Sequence, residues 1–122
     1  MAKTILIVDD SQFILEINSF TLSSAGYVVH AAPSGHAALE ILGKEHIDLV
    51  AADINMPGMD GYTLIRKIRA DRVLEDVPAV IITTEAEARD KKKGFDAGAN
   101  AYLVKPFKPE ELIGQIRLLI GE

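Results

Sequence analysis

Asp9, Asp10, Asp53, Thr83 and Lys105 each follow a short apolar run: Ile5-Leu6-Ile7-Val8, Leu49-Val50-Ala51-Ala52, Val80-Ile81-Ile82 and Leu103-Val104. In a parallel sheet this brings all five polar groups to the carboxyl-terminal edge, where open α/β folds bind ligands. Three carboxylates, a hydroxyl and an ammonium gathered there suit one job. They can hold a divalent cation beside a carboxylate that accepts a phosphoryl group.

The charges themselves argue for the cation. Two unit charges about 4 Å apart repel by about 4 kcal/mol at an effective dielectric of 20. Three carboxylates together would raise one another's pKa or weaken the fold without a positive group between them. Mg²⁺ meets that need with a few carboxylate oxygens, water or phosphate completing its octahedron. It also neutralises charge developing on a transferred phosphoryl group. Asp53 is the natural nucleophile, since carboxylates form acyl-phosphate intermediates. Asp9 and Asp10 can bind the metal without being the acceptor, Lys105 offers a point charge to phosphoryl oxygens and Thr83 a hydroxyl donor.

The elements that must position these groups alternate along the chain. Strand-like runs fall at 4–8, 27–31, 47–52, 79–82 and 101–104, and helix-like segments at 12–24, 35–43, 61–70, 86–97 and 109–120. In the last, Leu112, Ile116 and Leu119 make one apolar stripe. Pro109 suits the first turn and Glu110-Glu111 its dipole. Gly26, Gly43 and Gly98 stand where helices should stop, and Ser34 before Gly35 is a candidate N-cap. In the first helix Ile14, Ile17 and Leu22 form the expected inward stripe, which leaves Phe13, Leu15 and Phe20 as candidates for a hydrophobic docking surface. Such alternation implies an α/β fold, a parallel sheet with helices on both faces, and the mixed second strand reads as an edge.

With 122 residues, 48% hydrophobic and 25% charged, the chain fits one ordinary globular domain spanning 1–122. Its apolar runs are far shorter than the ~20 residues a membrane helix needs. Met1-Ala2-Lys3 leads straight into a strand without a signal region, which points to a cytoplasmic location and no membrane insertion. The absence of cysteine excludes disulfides, thiol catalysis and thiolate zinc sites. A net charge of −5 argues against direct nucleic-acid binding. The basic cluster of Arg89 with Lys91-Lys92-Lys93 reads as a solvated helix face or a docking patch for an acidic partner. His30, His36 and His46 are scattered, with no second ligand at helical spacing.

The chain closely resembles the receiver domain of two-component response regulators over essentially its whole length. The motifs that carry this are Ile7-Val8-Asp9-Asp10-Ser11, the run Asp53-Ile54-Asn55-Met56-Pro57-Gly58-Met59-Asp60-Gly61, Ile82-Thr83, and the run from Ala97 through Tyr102 and Lys105 to Phe107. The resemblance implies a flavodoxin-like three-layer sandwich, five parallel strands in the order 2-1-3-4-5 with five helices. It implies Mg²⁺-dependent phosphorylation of Asp53 by a sensor histidine kinase or a histidine phosphotransfer protein. Asp9 and Asp10 match the metal-binding pair, and Asn55 the position whose backbone carbonyl also reaches the metal. Thr83 and Tyr102 match the switch pair and Lys105 the phosphate-contacting lysine, with a cis Lys105-Pro106 bond. Glu85 and Asn55 flank the site and are expected to tune hydrolysis of the acyl phosphate.

Three departures from the family pattern stand out: Thr84, whose bulk would narrow donor entry, the small pair Ala51-Ala52, and Leu15 at an often basic position. The expected role is a phosphorylation-switched binding module, stand-alone and like the chemotaxis regulators, that acts on a downstream effector protein and is not an enzyme for other substrates. A phosphorylation-dependent homodimer through the fourth helix, fifth strand and fifth helix is compatible with it. The alternative is the receiver of a longer regulator with a DNA-binding or enzymatic output domain, which the chain's end after the fifth helix weighs against. An aspartate-nucleophile phosphatase is disfavoured because Asn55 stands where those enzymes generally carry a second aspartate.

Overall fold

In the computed structural model, which describes residues 2–84 and 88–121, the elements alternate throughout. They are β1 Thr4–Val8, α1 Gln12–Ser24, β2 Val28–Ala32, α2 Gly35–Lys44, β3 Leu49–Ala52, α3 Gly61–Ala70, β4 Ala79–Thr83, α4 Ala88–Ala97, β5 Ala101–Val104 and α5 Pro109–Ile120. All strands are parallel, in the order β2-β1-β3-β4-β5.

The period of two in β1 divides the core. Ile5 and Ile7 pack on one side with Leu15 and Leu22 of α1 and Leu112 and Ile116 of α5. Leu6 and Val8 pack on the other with Ala38 and Leu42 of α2 and Leu64 and Ile68 of α3. A third cluster joins Ile65 of α3, Ile81 of β4 and Ala97 of α4. The central strands are therefore apolar at nearly every position, because both sheet faces are covered. β2 lies at one edge, its first residue Val28 exposed, as its mixed composition implies.

Local signals set the helix ends. Ser11, Ser34 and Asp60 cap α1, α2 and α3, accepting from the N–H groups of Ile14, Ala37 and Thr63. The Glu111 carboxylate accepts from the Lys108 N–H at the start of α5. Gly26 and Gly98 end α1 and α4 at positive φ. Gly43 does not stop its helix, since α2 runs on through Lys44.

The first helix corrects the sequence reading. Its buried residues are Leu15, Asn18 and Leu22, whereas Ile17 is 45% exposed, Phe13 69% and Phe20 75%. At 3.6 residues per turn the stripes 13-17-20 and 15-18-22 lie roughly 165° apart, so α1 carries two apolar faces. Asn18 disguised the inner one by placing a polar residue within it. Leu15 is thus a core residue, and the outward stripe is Phe13, Ile17 and Phe20. No helix among the described residues is long and apolar enough to cross a membrane.

Candidate functional site

Strand register assembles the site. Val8 pairs with Ala52, so the next residues, Asp9 and Asp53, leave the sheet at the same level. Thr83 pairs with Val104, which puts Lys105 one step beyond the end of β4. The ladder continues past the strand ends, with Asp53 N–H donating to the Val8 carbonyl at 3.0 Å and Lys105 N–H to the Thr83 carbonyl at 2.7 Å.

Asp9, Asp10 and Asp53 each present a carboxylate oxygen within 4.8 Å of the others. Asp9 is buried at 4% exposure, Asp53 is half-buried and Asp10 is open to solvent. Asp9 Oδ1 accepts from the Ser11 N–H at 2.9 Å, and Asp53 Oδ1 from the Ile54 N–H at 2.8 Å. Lys105 Nζ lies 3.2 Å from Asp9 Oδ2 and 3.6 Å from Asp53 Oδ2. Burial pushes the Asp53 carboxyl above the ordinary aspartate range. The Lys105 charge opposes that, the Asp9 charge adds to it, and the N–H groups of Ile54 and Asn55 hold it back.

One ammonium among three carboxylates, one buried, one half-buried and one open to solvent, leaves net negative charge on a set of oxygen donors. That donor set fits a hard divalent cation such as Mg²⁺, with open positions for water or a phosphoryl oxygen. Asp53 Oδ2 faces the lysine across 3.6 Å.

Thr83 is the fully buried last residue of β4. Asn55 sits two residues beyond Asp53 with an exposed side chain. Tyr102 is half-buried on β5 opposite Ile81, its ring 6.4 Å from that of Phe95 on α4. The Lys105–Pro106 bond is cis. Thr84 is exposed, and Glu85 lies outside the described residues.

Ser11 and Gly61 also shape the site. Ser11 both caps α1 and fixes Asp9 through its N–H, a double role that Asp-Asp-Ser before a helical pattern signals. Gly61 opens α3 against the Asp53 backbone, where a Cβ would meet the Asp53 carbonyl oxygen and lie 2.9 Å from the Ile54 Cα.

The chain and its fold are similar to known proteins. The family model described as the response regulator receiver domain matches residues 5–117. The DNA-binding dual master transcriptional regulator RpaA of Synechocystis is 36% identical over 116 residues, 95% of this chain and 48% of that protein. The chain thus spans about half the length of that relative. The chemotaxis protein CheY4 of Vibrio cholerae superposes with a TM-score of 0.93 at 35% identity, covering 98% of this chain and 99% of that one. The receiver domain of the sensor histidine kinase PA1611 of Pseudomonas aeruginosa has a TM-score of 0.91 at 32% identity, each chain covered in full. Its structure holds a magnesium ion coordinated in the active site cleft.

Proposed function

The chain belongs to the response regulator receiver family of two-component signalling, and from that premise we propose that Asp53 is its phosphoacceptor. The observation that carries the reading is the convergence of Asp9, Asp10 and Asp53 within 4.8 Å beside Lys105. Asp9, Asp10, Asp53 and the Asn55 backbone carbonyl would hold Mg²⁺. Bound there, the ion offsets negative charge on the phosphoryl group as it transfers.

This chain's own groups do the rest. Asp53 Oδ2 attacks the phosphorus of a phosphohistidine, and the donor imidazole leaves. Lys105, now near Asp9 and Asp53, is positioned to contact the arriving phosphoryl oxygens. Thr83 supplies a hydroxyl to the same oxygens, and with Tyr102 forms the switch pair. Thr83 and Tyr102 lie on neighbouring strands, so a shift at the first reaches the face made by α4, β5 and α5. We place the donor, a histidine kinase or phosphotransfer protein, on the exposed α1 stripe Phe13-Ile17-Phe20, where Ser11 leads directly from the acidic pair.

On this reading residues 1–122 are one cytoplasmic receiver unit that transforms no substrate other than its own acyl phosphate and switches a downstream effector protein. Homodimerisation, where it occurs, would follow phosphorylation. A second reading has a specific observation behind it. The DNA-binding relative is about twice as long as its matched region, so an output domain joined to this receiver is the alternative architecture.

Incubation with Mg²⁺ and acetyl phosphate, followed by intact mass, tests the chemistry. The expected gain is one phosphoryl group that requires both the metal and Asp53, and is absent from Asp53→Ala. A gain that survives Asp53→Ala would overturn the assignment.

A further inference from the structure

A buried tyrosine links the start of α3, beside the strand that carries Asp53, to α4. Gly61, the first residue of α3, donates its N–H to the Ile54 carbonyl at 2.9 Å and packs directly on the Asp53–Ile54 backbone. The end of β3 and the start of α3 therefore cannot move independently. Tyr62 follows at once and is itself buried. Its hydroxyl donates to the Asp90 carbonyl in the first turn of α4 at 3.3 Å, and Lys93 Nζ stands 4.7 Å from the centre of its ring.

Beside this contact a cavity of about 250 Å³ lies between the loop and the helix, lined by Ile54, Asn55, Asp60, Tyr62, Asp90 and Lys93. Where that open volume replaces packed side chains, Tyr62 spans the gap. Its bond is directional, and hydrogen bonds weaken steeply with misalignment. A small displacement of α4 against α3 is therefore registered by the hydroxyl more sharply than by apolar contact. The Lys93 ammonium over the ring adds a second orientation-dependent contact from the next turn of the same helix.

We propose that Tyr62 couples the state of the Asp53 site to the placement of α4. A change at Asp53 passes through the Asp53–Ile54–Gly61 backbone contact into α3, and Tyr62 transmits it to Asp90 and Lys93. By linkage, the placement of α4 must in turn alter how readily the Asp53 site is occupied. This inference rests on the acceptor reading of Asp53. Tyr62 is a positioning residue and touches no reacting atom.

The test uses beryllium fluoride with Mg²⁺, an unreactive mimic of a carboxylate-bound phosphoryl group, on the wild type, Tyr62→Phe and Lys93→Met. Amide hydrogen exchange is followed across Ala88–Ala97, and the affinity for the mimic is measured by titration. In the wild type the mimic should change α4 exchange. Tyr62→Phe, which keeps the ring, should still bind the mimic with an α4 response weakened about fivefold, the equilibrium effect of one ordinary hydrogen bond. Its affinity for the mimic should change by the same factor. Lys93 is exposed, so Lys93→Met should fold normally and show a smaller change of the same sign.

An α4 response in Tyr62→Phe equal to that of the wild type would overturn the coupling. So would faster α4 exchange in the variant by the same factor with and without the mimic, the mark of a purely structural role. If the wild type binds the mimic and α4 does not respond, the coupling falls and the acceptor reading stands. If the wild type does not bind the mimic in the presence of Mg²⁺, both fall together.

Discussion

Lys105 stands nearer to Asp9 than to Asp53, 3.2 Å from the Asp9 Oδ2 and 3.6 Å from the Asp53 Oδ2. The ammonium thus occupies the negative end of the site and competes with any cation for the same field. Removing it should separate metal binding from phosphoryl transfer. A unit charge a few ångströms from a divalent ion repels it appreciably even at an effective dielectric of 20, so Lys105→Met should bind Mg²⁺ about tenfold more tightly by calorimetry. The same variant should gain a phosphoryl group from acetyl phosphate about 10²-fold more slowly, because a preorganised donor to the transferring oxygens is lost. Weaker Mg²⁺ binding in the variant would refute the competition.

Gly61→Ala should damage both fold and site. The added methyl meets the Asp53 and Ile54 backbone, which cannot rotate aside as a flexible side chain would. Overpacking of this kind costs about 1–3 kcal/mol, to be read from urea unfolding. Because the displaced group is the backbone of Asp53, the proposed acceptor, phosphorylation should slow even well below the unfolding transition. A variant of unchanged stability and rate would show that the loop relaxes freely.

The sheet edge and its polar residues were legible because parallel strands buried on both faces must be continuous apolar runs. The residue ending each run is then forced to the ligand-binding edge. Register did the rest: Val8 opposite Ala52 places Asp9 and Asp53 together without any further signal. Helix α1 was harder, since Phe13-Ile17-Phe20 and Leu15-Asn18-Leu22 both recur at helical spacing and only tertiary packing chooses between them. Gly43 looked like a stop and was not one: it does not take the positive φ that Gly26 and Gly98 take, and α2 runs on through Lys44. Arg69 gave no sequence signal, since its partners are loop acceptors that only the fold gathers, three backbone carbonyls and the Asn100 side chain.

That arginine fastens the edge of the sheet opposite the site. Its Nε donates to the Gly98 carbonyl at 3.0 Å and its Nη1 to those of Glu75 and Val77 at 3.1 and 2.6 Å. Its Nη2 donates to Asn100 Oδ1 at 2.8 Å. Arg69→Ala should cost about 3 kcal/mol in urea unfolding, several acceptors losing a charged donor at once. Arg69→Lys should restore less than half of it, since an ammonium cannot reproduce the planar fork.

Asp48 gives the stability a defined dependence on acid. Burial alone would raise its carboxyl, but the Thr4 N–H at 2.8 Å and the His46 imidazole at 2.9 Å outweigh that and hold it below its ordinary 3.8. A carboxyl depressed in the folded state stabilises above its unfolded pKa, and that contribution is lost as pH falls through the folded value. Asp48→Asn should therefore be less stable than the wild type at neutral pH, with the gap closing below pH 3.8. Urea unfolding at neutral pH and at pH about 3 checks this, and a gap that widened in acid would reverse the sign.

Docking of the donor on the outward stripe of α1, as proposed, would separate recognition from chemistry. Phe13 and Phe20 are 69% and 75% exposed and contribute little to the core, so Phe13→Ser and Phe20→Ser should change stability by no more than about 0.5 kcal/mol. Acetyl phosphate needs no docking surface and should phosphorylate both variants at the wild-type rate. A phosphorylated histidine phosphotransfer protein that docks there should transfer about tenfold more slowly to each variant, the loss expected when one well-packed aromatic contact worth roughly 1.4 kcal/mol is removed. Leu15→Ala serves as the contrast. Leu15 is buried, so its truncation should lower stability by about 2–5 kcal/mol and leave the ratio of the two donor rates unchanged. Equal slowing with both donors in Phe13→Ser and Phe20→Ser would remove α1 from donor recognition.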